Sequence, residues 1–384
     1  MWDSGALTRG DVATTAGRIA SIGSAPGAAG IDLGGRVLLP GLVNAHDHLD
    51  LSTFPPLGRP PYASAQAWSA DIEGPRDQPA VTEALSVSPS DRLFLGGLRN
   101  LLAGATGVAH HGPYHRSLAR RDFPVRVLAK YQFAHAPGPA PALRRTYRTT
   151  DRRIPWMVHA GEGTDERSRG DVEALVEANV LRQNAVLVHA IALRPGDAER
   201  MAAARACVVW CPQSDRRLYG QTADVAALRA AGVRIGLGSE SPLAGARDAL
   251  SNLAAARGEH VLTDDELVTL ATAGGAEVAR LPGGRIAPGE PADLVVVDSM
   301  EAWLEGDRRT LALVVAAGRP LYGDPALLDA LAVRSRPVIV DGAPRAMEAE
   351  LARRAASLVR GRDRVEWMRG LVFSASPLPP GSPP

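Results

Sequence analysis

AVLVHAIALRPGDAERMAAARA, residues 185–206, joins a short apolar run ending at His189 to a segment with helical spacing. A continuous apolar run is the mark of a strand covered on both faces, which is the situation in a parallel sheet. The unit recurs on either side. WMVHAGEG (156–163) precedes the helix-like DVEALVEANV (171–180). CVVWCP (207–212) precedes ADVAALRAAG (223–232), and VRIGLGSES (233–241) precedes ARDALSNLAAARG (246–258). Strands alternating with helices predict an α/β fold.

Further upstream, VLLPGLVNAHDH and TGVAHHG (106–112) end in the same way, with DRLFLGGLRNLLAGA (91–105) as a helix between them. PVRVLAKYQFAHA (124–136) reads as another strand. From residue 40 to 281 the span approaches the ~250 residues of a TIM (β/α)8 barrel. Seven strands can be assigned. The fourth is expected to be missing or very short between residues 136 and 155, which distorts the barrel.

Outside this span the pattern alternates, with glycine turns. Residues 1–39 and 282–340 are expected to pair into one small composite β-sandwich domain. A surface helix is expected over 345–370, within a C-terminal segment 341–384 that ends in the tail SASPLPPGSPP, expected to be disordered.

Composition narrows the function. Lys+Arg 43 against Asp+Glu 42 gives no excess of either sign, so neither nucleic acid nor an acidic membrane is expected as a partner. Apolar residues make up 45% of the 384, enough for a sizeable core. Cys207 and Cys211 are too few for a disulfide framework and read as small buried residues. The start MWDSGALTRGD does not read as a secretory signal, and no run reaches the roughly 18 apolar residues of a membrane span. A cytoplasmic protein is the expectation.

Catalytic groups of a parallel barrel sit at the C-terminal ends of its strands. Polar residues closing an apolar run are His46, His48, His110, His111, His159 with Glu162, His189 and Glu240. His46 and His48, two apart on a strand, share a face. Imidazoles at a barrel mouth suit zinc or ferrous iron. The alternative for the pair is two rings satisfied by backbone bonds. His159 closing another strand tips the balance toward a metal ligand, whereas His189 could bind metal or hydrogen-bond its water. Glu162 can shuttle a proton or be a solvated loop acid like Asp165 and Glu166.

LPGLVNAHDHLDL, HAGE (159–162), LVHAIAL, WCPQSDRRLYG, IGLGSES and GRIAPGEPADLVVVD occur in that order. Together they resemble the amidohydrolase superfamily, in its cytosine deaminase/chlorohydrolase-like branch with guanine and S-adenosylhomocysteine deaminases. The resemblance spans residues 15 to 322. It implies one divalent metal per chain, zinc or else iron, held by His46, His48 and His159. It further implies that His189 orients the attacking water and that Glu162 donates a proton to the substrate's ring nitrogen or leaving group. A metal lowers the pKa of its water, and the strand-eight carboxylate, here Glu240, takes the proton while also serving the metal. A small-molecule substrate and a homodimer are expected on the same ground.

The sequence departs from the pattern at Gly238-Ser239-Glu240-Ser241, where the branch carries Asp. Glu240 either does the same work after a small backbone retreat, binds the metal differently, or leaves the protein impaired. Asp215 stands where relatives often carry Asn, as a substrate contact or a helix N-cap. Lys130 could bridge two metals as a carbamate, but a core-facing or salt-bridged lysine fits better. His110, His111, His135 and Trp68 are further candidates for substrate contact. Trp68 lies in FPPLGRPPYASAQAWSAD (54–71), either a lid or a cover for the barrel. The reaction expected is hydrolytic deamination of an amino-substituted N-heterocycle. The alternatives are a cyclic amide or amide hydrolase, and a metal-binding protein impaired at Glu240.

Overall fold

The structure is a computed structural model that describes residues 1–3, 6–23, 30–73, 78–362 and 364–373. The expected tail lies outside the described residues.

Eight parallel strands follow one another along the chain: Leu42–Asp47, Ala105–His110, Arg126–Val127, Gln132–Ala134, Trp156–Ala160, Ala185–His189, Cys207–Trp210 and Arg234–Leu237. The first three form one sheet and the last five another, each in sequence order. A parallel bridge from Asp47 to Glu240 brings the eighth strand's end against the first. Val43, Ala45, Ala109, Met157, Val186, Val188, Cys207 and Val209 pack into one apolar cluster, an interior shared by five of the strands.

The run 124–136 is two short strands, not one. The fourth strand lies within it at Gln132–Ala134, and the helix Ala140–Arg148 occupies part of the interval where that strand was expected. Between the two short strands Ala129 and Lys130 are exposed. An ammonium group is costly to bury, so the chain swings outward there. Lys130 is therefore neither mid-strand nor core-facing.

The apolar run before the first histidines also divides. Val37–Pro40 pairs antiparallel with Leu294–Val297, while Leu42–Asp47 pairs parallel with Ala105–His110. Gly41 makes the crossing; a Cβ there would meet the Thr106 side chain at 2.2 Å.

Where a sandwich of two sheets was expected, the described residues form one seven-stranded antiparallel sheet and two short hairpins. The sheet does not stop at residue 340. Ala343–Glu348 and Leu371–Phe373 are strands of it. The helix expected over 345–370 is Ala349–Val359, and it is not a bare surface element: Leu351, Ala352 and Ala355 are buried, and the Arg354 guanidinium lies 3.9 Å from the Phe94 ring centre. Among the described residues no helix is long and apolar enough to cross a membrane.

Candidate metal and catalytic site

His46, His48 and His159 meet at the ends of the first and fifth strands. His159 Nε2 lies 3.3 Å from His46 Nε2. Glu240 Oε2 lies 2.7 Å from His46 Nε2 and 3.1 Å from His48 Nε2. His46 is fully buried, and Glu240 is 4% exposed. Three imidazole nitrogens and a carboxylate oxygen thus converge on one point, a donor set suited to zinc. Burial pushes His46 down to about 3, which favours a neutral ring. His48 is held up at about 9, against its burial, by the Glu240 carboxylate. A cation bound between those two groups would displace that proton, as metal binding to protonated ligands generally does.

The strands aim these groups in different ways. On the fifth, Met157 and His159 follow plain alternation. On the first, Val43 and Ala45 belong to the inner cluster, yet His46 and His48 also point inward. The register shift recorded between Asn44 and Asp47 accounts for the change of parity. Asp47 then faces away from the cage. It is fully buried, and it accepts hydrogen bonds from Arg99 Nη2 at 2.6 Å, Asn100 Nδ2 at 2.7 Å and Asn44 Nδ2 at 2.9 Å. Burial pushes its carboxyl up, and Arg99 opposes that rise.

The eighth strand approaches the first closely through Gly238, where a Cβ would stand 2.6 Å from His46 Cβ and 2.5 Å from Val209 Cγ1. Glu240 itself has φ 56°, and His189 has φ 76°. Left-handed backbone at non-glycine residues costs roughly 1–3 kcal/mol each and collects at functional sites. At His189 it follows the inward-facing Val188 and turns the next ring toward Glu162.

Beside the cage runs a second chain of groups. His159 Nδ1 lies 3.2 Å from Glu162 Oε2, and His189 Nε2 lies 3.6 Å from Glu162 Oε1. Tyr219 donates to Glu162 Oε1 at 2.6 Å. His189 Nδ1 is 2.7 Å from Asp215 Oδ1, and Thr222 donates to Asp215 Oδ2 at 2.9 Å. Burial disfavours the charged form of His189, but the Glu162 and Asp215 carboxylates raise it to about 9. For Glu162 burial acts upward, yet His189 and His159 hold it at about 2. His189 Nε2 is buried with no hydrogen-bond partner, a donor or acceptor held ready for a ligand atom.

Asp215 is not the N-cap of its helix. It lies inside the helix Pro212–Tyr219, fully buried behind His189. His110 turns from the site; its Nδ1 is within 3.3 Å of the Leu49 amide. His111 turns into it, with Nδ1 3.3 Å from His46 Nδ1. The exposed His135 stacks on His111 at 5.6 Å between ring centres. Trp68, with Tyr62, packs against the cluster of Leu218, Tyr219 and Ala244. Its loop is tied to the site by backbone hydrogen bonds. Ala65 donates to the Glu162 carbonyl at 3.1 Å, and Tyr62 donates to that of Leu218 at 2.7 Å. Cys207 and Cys211 are buried and free.

Tyr219 and the Arg99–Asp47 pair escaped the sequence reading. Tyr219 could have been found, since it lies one helical turn after Asp215 on the same face. Arg99 carried no such signal.

The profile of the amidohydrolase family matches residues 142–329. A 5-methylthioadenosine/S-adenosylhomocysteine deaminase of Halobacterium salinarum is 27% identical over 346 residues, covering 74% of this chain and 78% of the relative. The enzyme of the same name from Syntrophobacter fumaroxidans is 25% identical over 370 residues, covering 81% and 84%. In fold, a zinc-bound adenosine deaminase of Xanthomonas campestris superposes with a TM-score of 0.63 at 18% identity, covering 82% of this chain and 88% of its own.

Proposed function

From the premise that this chain belongs to the amidohydrolase superfamily and hydrolytically deaminates an N-heterocycle, we propose that its substrate is a 6-aminopurine nucleoside altered at the 5′ position. The two curated relatives described above are named for such nucleosides. The eight strands then act as a distorted, closed TIM barrel over residues 40–281, and zinc is the metal in its mouth.

The observation that carries the reading is the adjacency of the two clusters. Nitrogens of His46, His48, His111 and His159 lie close enough together to hold one ion, Glu240 Oε2 approaches two of them, and the Glu162–His189–Asp215 chain begins at His159. A bound divalent metal supplies Lewis acidity and lowers the pKa of water. The chain's own residues supply the rest. Glu240 holds His46 and His48 in place and accepts the proton of the attacking water. Glu162 is ionised at rest, so it must first gain a proton before delivering one to the ring nitrogen. Tyr219 steadies one of its oxygens and leaves the other toward the cage. Asp215 anchors Nδ1 of His189, so that Nε2 presents its proton to the oxygen that attacks.

Ammonia release from 5′-methylthioadenosine, S-adenosylhomocysteine, adenosine, cytosine and guanine tests the substrate class. Turnover of the 5′-altered adenosines above the others is expected. Turnover of cytosine or guanine alone would overturn it.

A further inference from the structure

His48 and Ser52 flank one short turn of 3-10 helix, Leu49–Leu51, that follows the first strand. The Leu51 amide donates to the His48 carbonyl at 3.0 Å, so this candidate ligand is fastened to the turn. On one side the turn lies on the helix Pro89–Leu102, so close that a Cβ at Gly96 would stand 2.4 Å from the Leu49 oxygen. On another side a residue from the far end of the chain holds it. Trp367 is fully buried, and its indole Nε1 donates to the Ser52 carbonyl at 2.7 Å. We infer that Trp367 is a positioning residue, which fixes the turn after the first strand and through it the place of His48 in the metal cage. The inference rests on the metal-dependent reading above.

Trp367 is itself held. Arg308, also buried, donates through Nη1 to the Trp367 carbonyl at 3.0 Å. It grips Asp341 through Nε at 2.9 Å and Nη2 at 2.7 Å, a two-point pairing that fixes direction as well as distance. The same guanidinium lies 3.9 Å from the Asp248 carboxylate, which caps the helix Ala249–Gly258 beyond Glu240. One buried cation thus connects the indole to the elements that follow both the first and the eighth strands.

The contact also matters to the turn. Ser52 Oγ is buried without a hydrogen-bond partner, so its side chain gives no polar anchor and the carbonyl carries that role. A buried carbonyl stripped of its donor is costly, which keeps the turn where the indole meets it. Outer groups that orient a ligand are worth about 10- to 100-fold in metal affinity.

The test is the zinc affinity of the metal-free chain, measured by competition with a chromophoric chelator, beside its midpoint of urea unfolding. Trp367→Phe removes the donor and keeps an aromatic ring. Trp303→Phe is the control, because Trp303 is equally buried and its Nε1 has no hydrogen-bond partner to lose. Zinc binding about tenfold weaker is expected for Trp367→Phe, the lower end for an outer group, and unchanged binding for Trp303→Phe. If Trp367→Phe lowers the unfolding midpoint but binds zinc like wild type, Trp367 supports the fold alone and the inference fails. Equal weakening by Trp303→Phe traces the loss to packing and overturns it too. Should Trp367→Phe not fold, benzothienylalanine at position 367 keeps the two-ring shape without the N–H. The same tenfold loss is then expected, and wild-type affinity or a chain that still does not fold overturns the inference. A wild-type chain that binds no zinc is the distinct result that overturns the metal-dependent reading, and this inference with it.

Discussion

The first and fifth strands deliver candidate metal ligands to the same point by different means. The fifth places His159 by alternation, two residues after the inward Met157. The first breaks alternation between Asn44 and Asp47, so that inward Ala45 is followed by inward His46. A regular strand needs no outside support. An irregular one must be held, and the buried Arg99, Asn100 and Asn44 contacts to Asp47 hold it. The two sides of the first strand are therefore one device: a polar anchor behind and a metal cage in front.

Removing a ligand from either strand should abolish the difference. His46→Ala and His159→Ala are both expected to leave the purified chain nearly free of metal by elemental analysis and without turnover. A metal-loaded His159→Ala chain would mean the fifth strand is not part of the cage. Glu162→Gln should separate chemistry from metal binding, lowering kcat by roughly 10²–10⁴-fold at unchanged metal content.

The anchor is tested by Arg99→Leu, which leaves the Asp47 carboxylate buried without its cation. Breaking one side of a buried pair costs about 3–5 kcal/mol, to be read as a lower midpoint in urea unfolding. A stability equal to wild type would show that the slip in the first strand needs no anchor. Glu240→Asp shortens the side chain that reaches both His46 and His48. A displacement near 1 Å costs about 100-fold in rate, so the residue typical of the branch should be the worse one here. An Asp variant faster than wild type would show the native Glu to be the impaired form. Smallest is Gly238→Ala, where the new methyl would press on His46; overpacking of this kind costs about 1–3 kcal/mol, measurable as a drop in melting temperature with the metal retained.

Much of this was legible in the residues. Apolar runs with helical segments between them marked the parallel strands, and the histidines closing those runs marked the site. The third and fourth strands were not legible as two, because strands of two and three residues carry no periodicity to detect. Their division depends on Lys130 seeking solvent. His110 and His111 are adjacent and equally polar, yet one ring meets the Leu49 backbone and the other meets His46. Asp215 read equally well as a cap, since nothing near it in sequence names His189 as its partner.

The sequence by itself determined the element types, their order along the chain and the donor atoms available, because these follow from local patterning and side-chain chemistry. Only the tertiary structure decided where those donors point. The slip at Asn44–Asp47, the left-handed backbone at His189 and Glu240, and the close approach at Gly238 all arise from contacts between distant strands. A shift of one residue in a strand reverses the face of every side chain beyond it, and no local propensity encodes that shift.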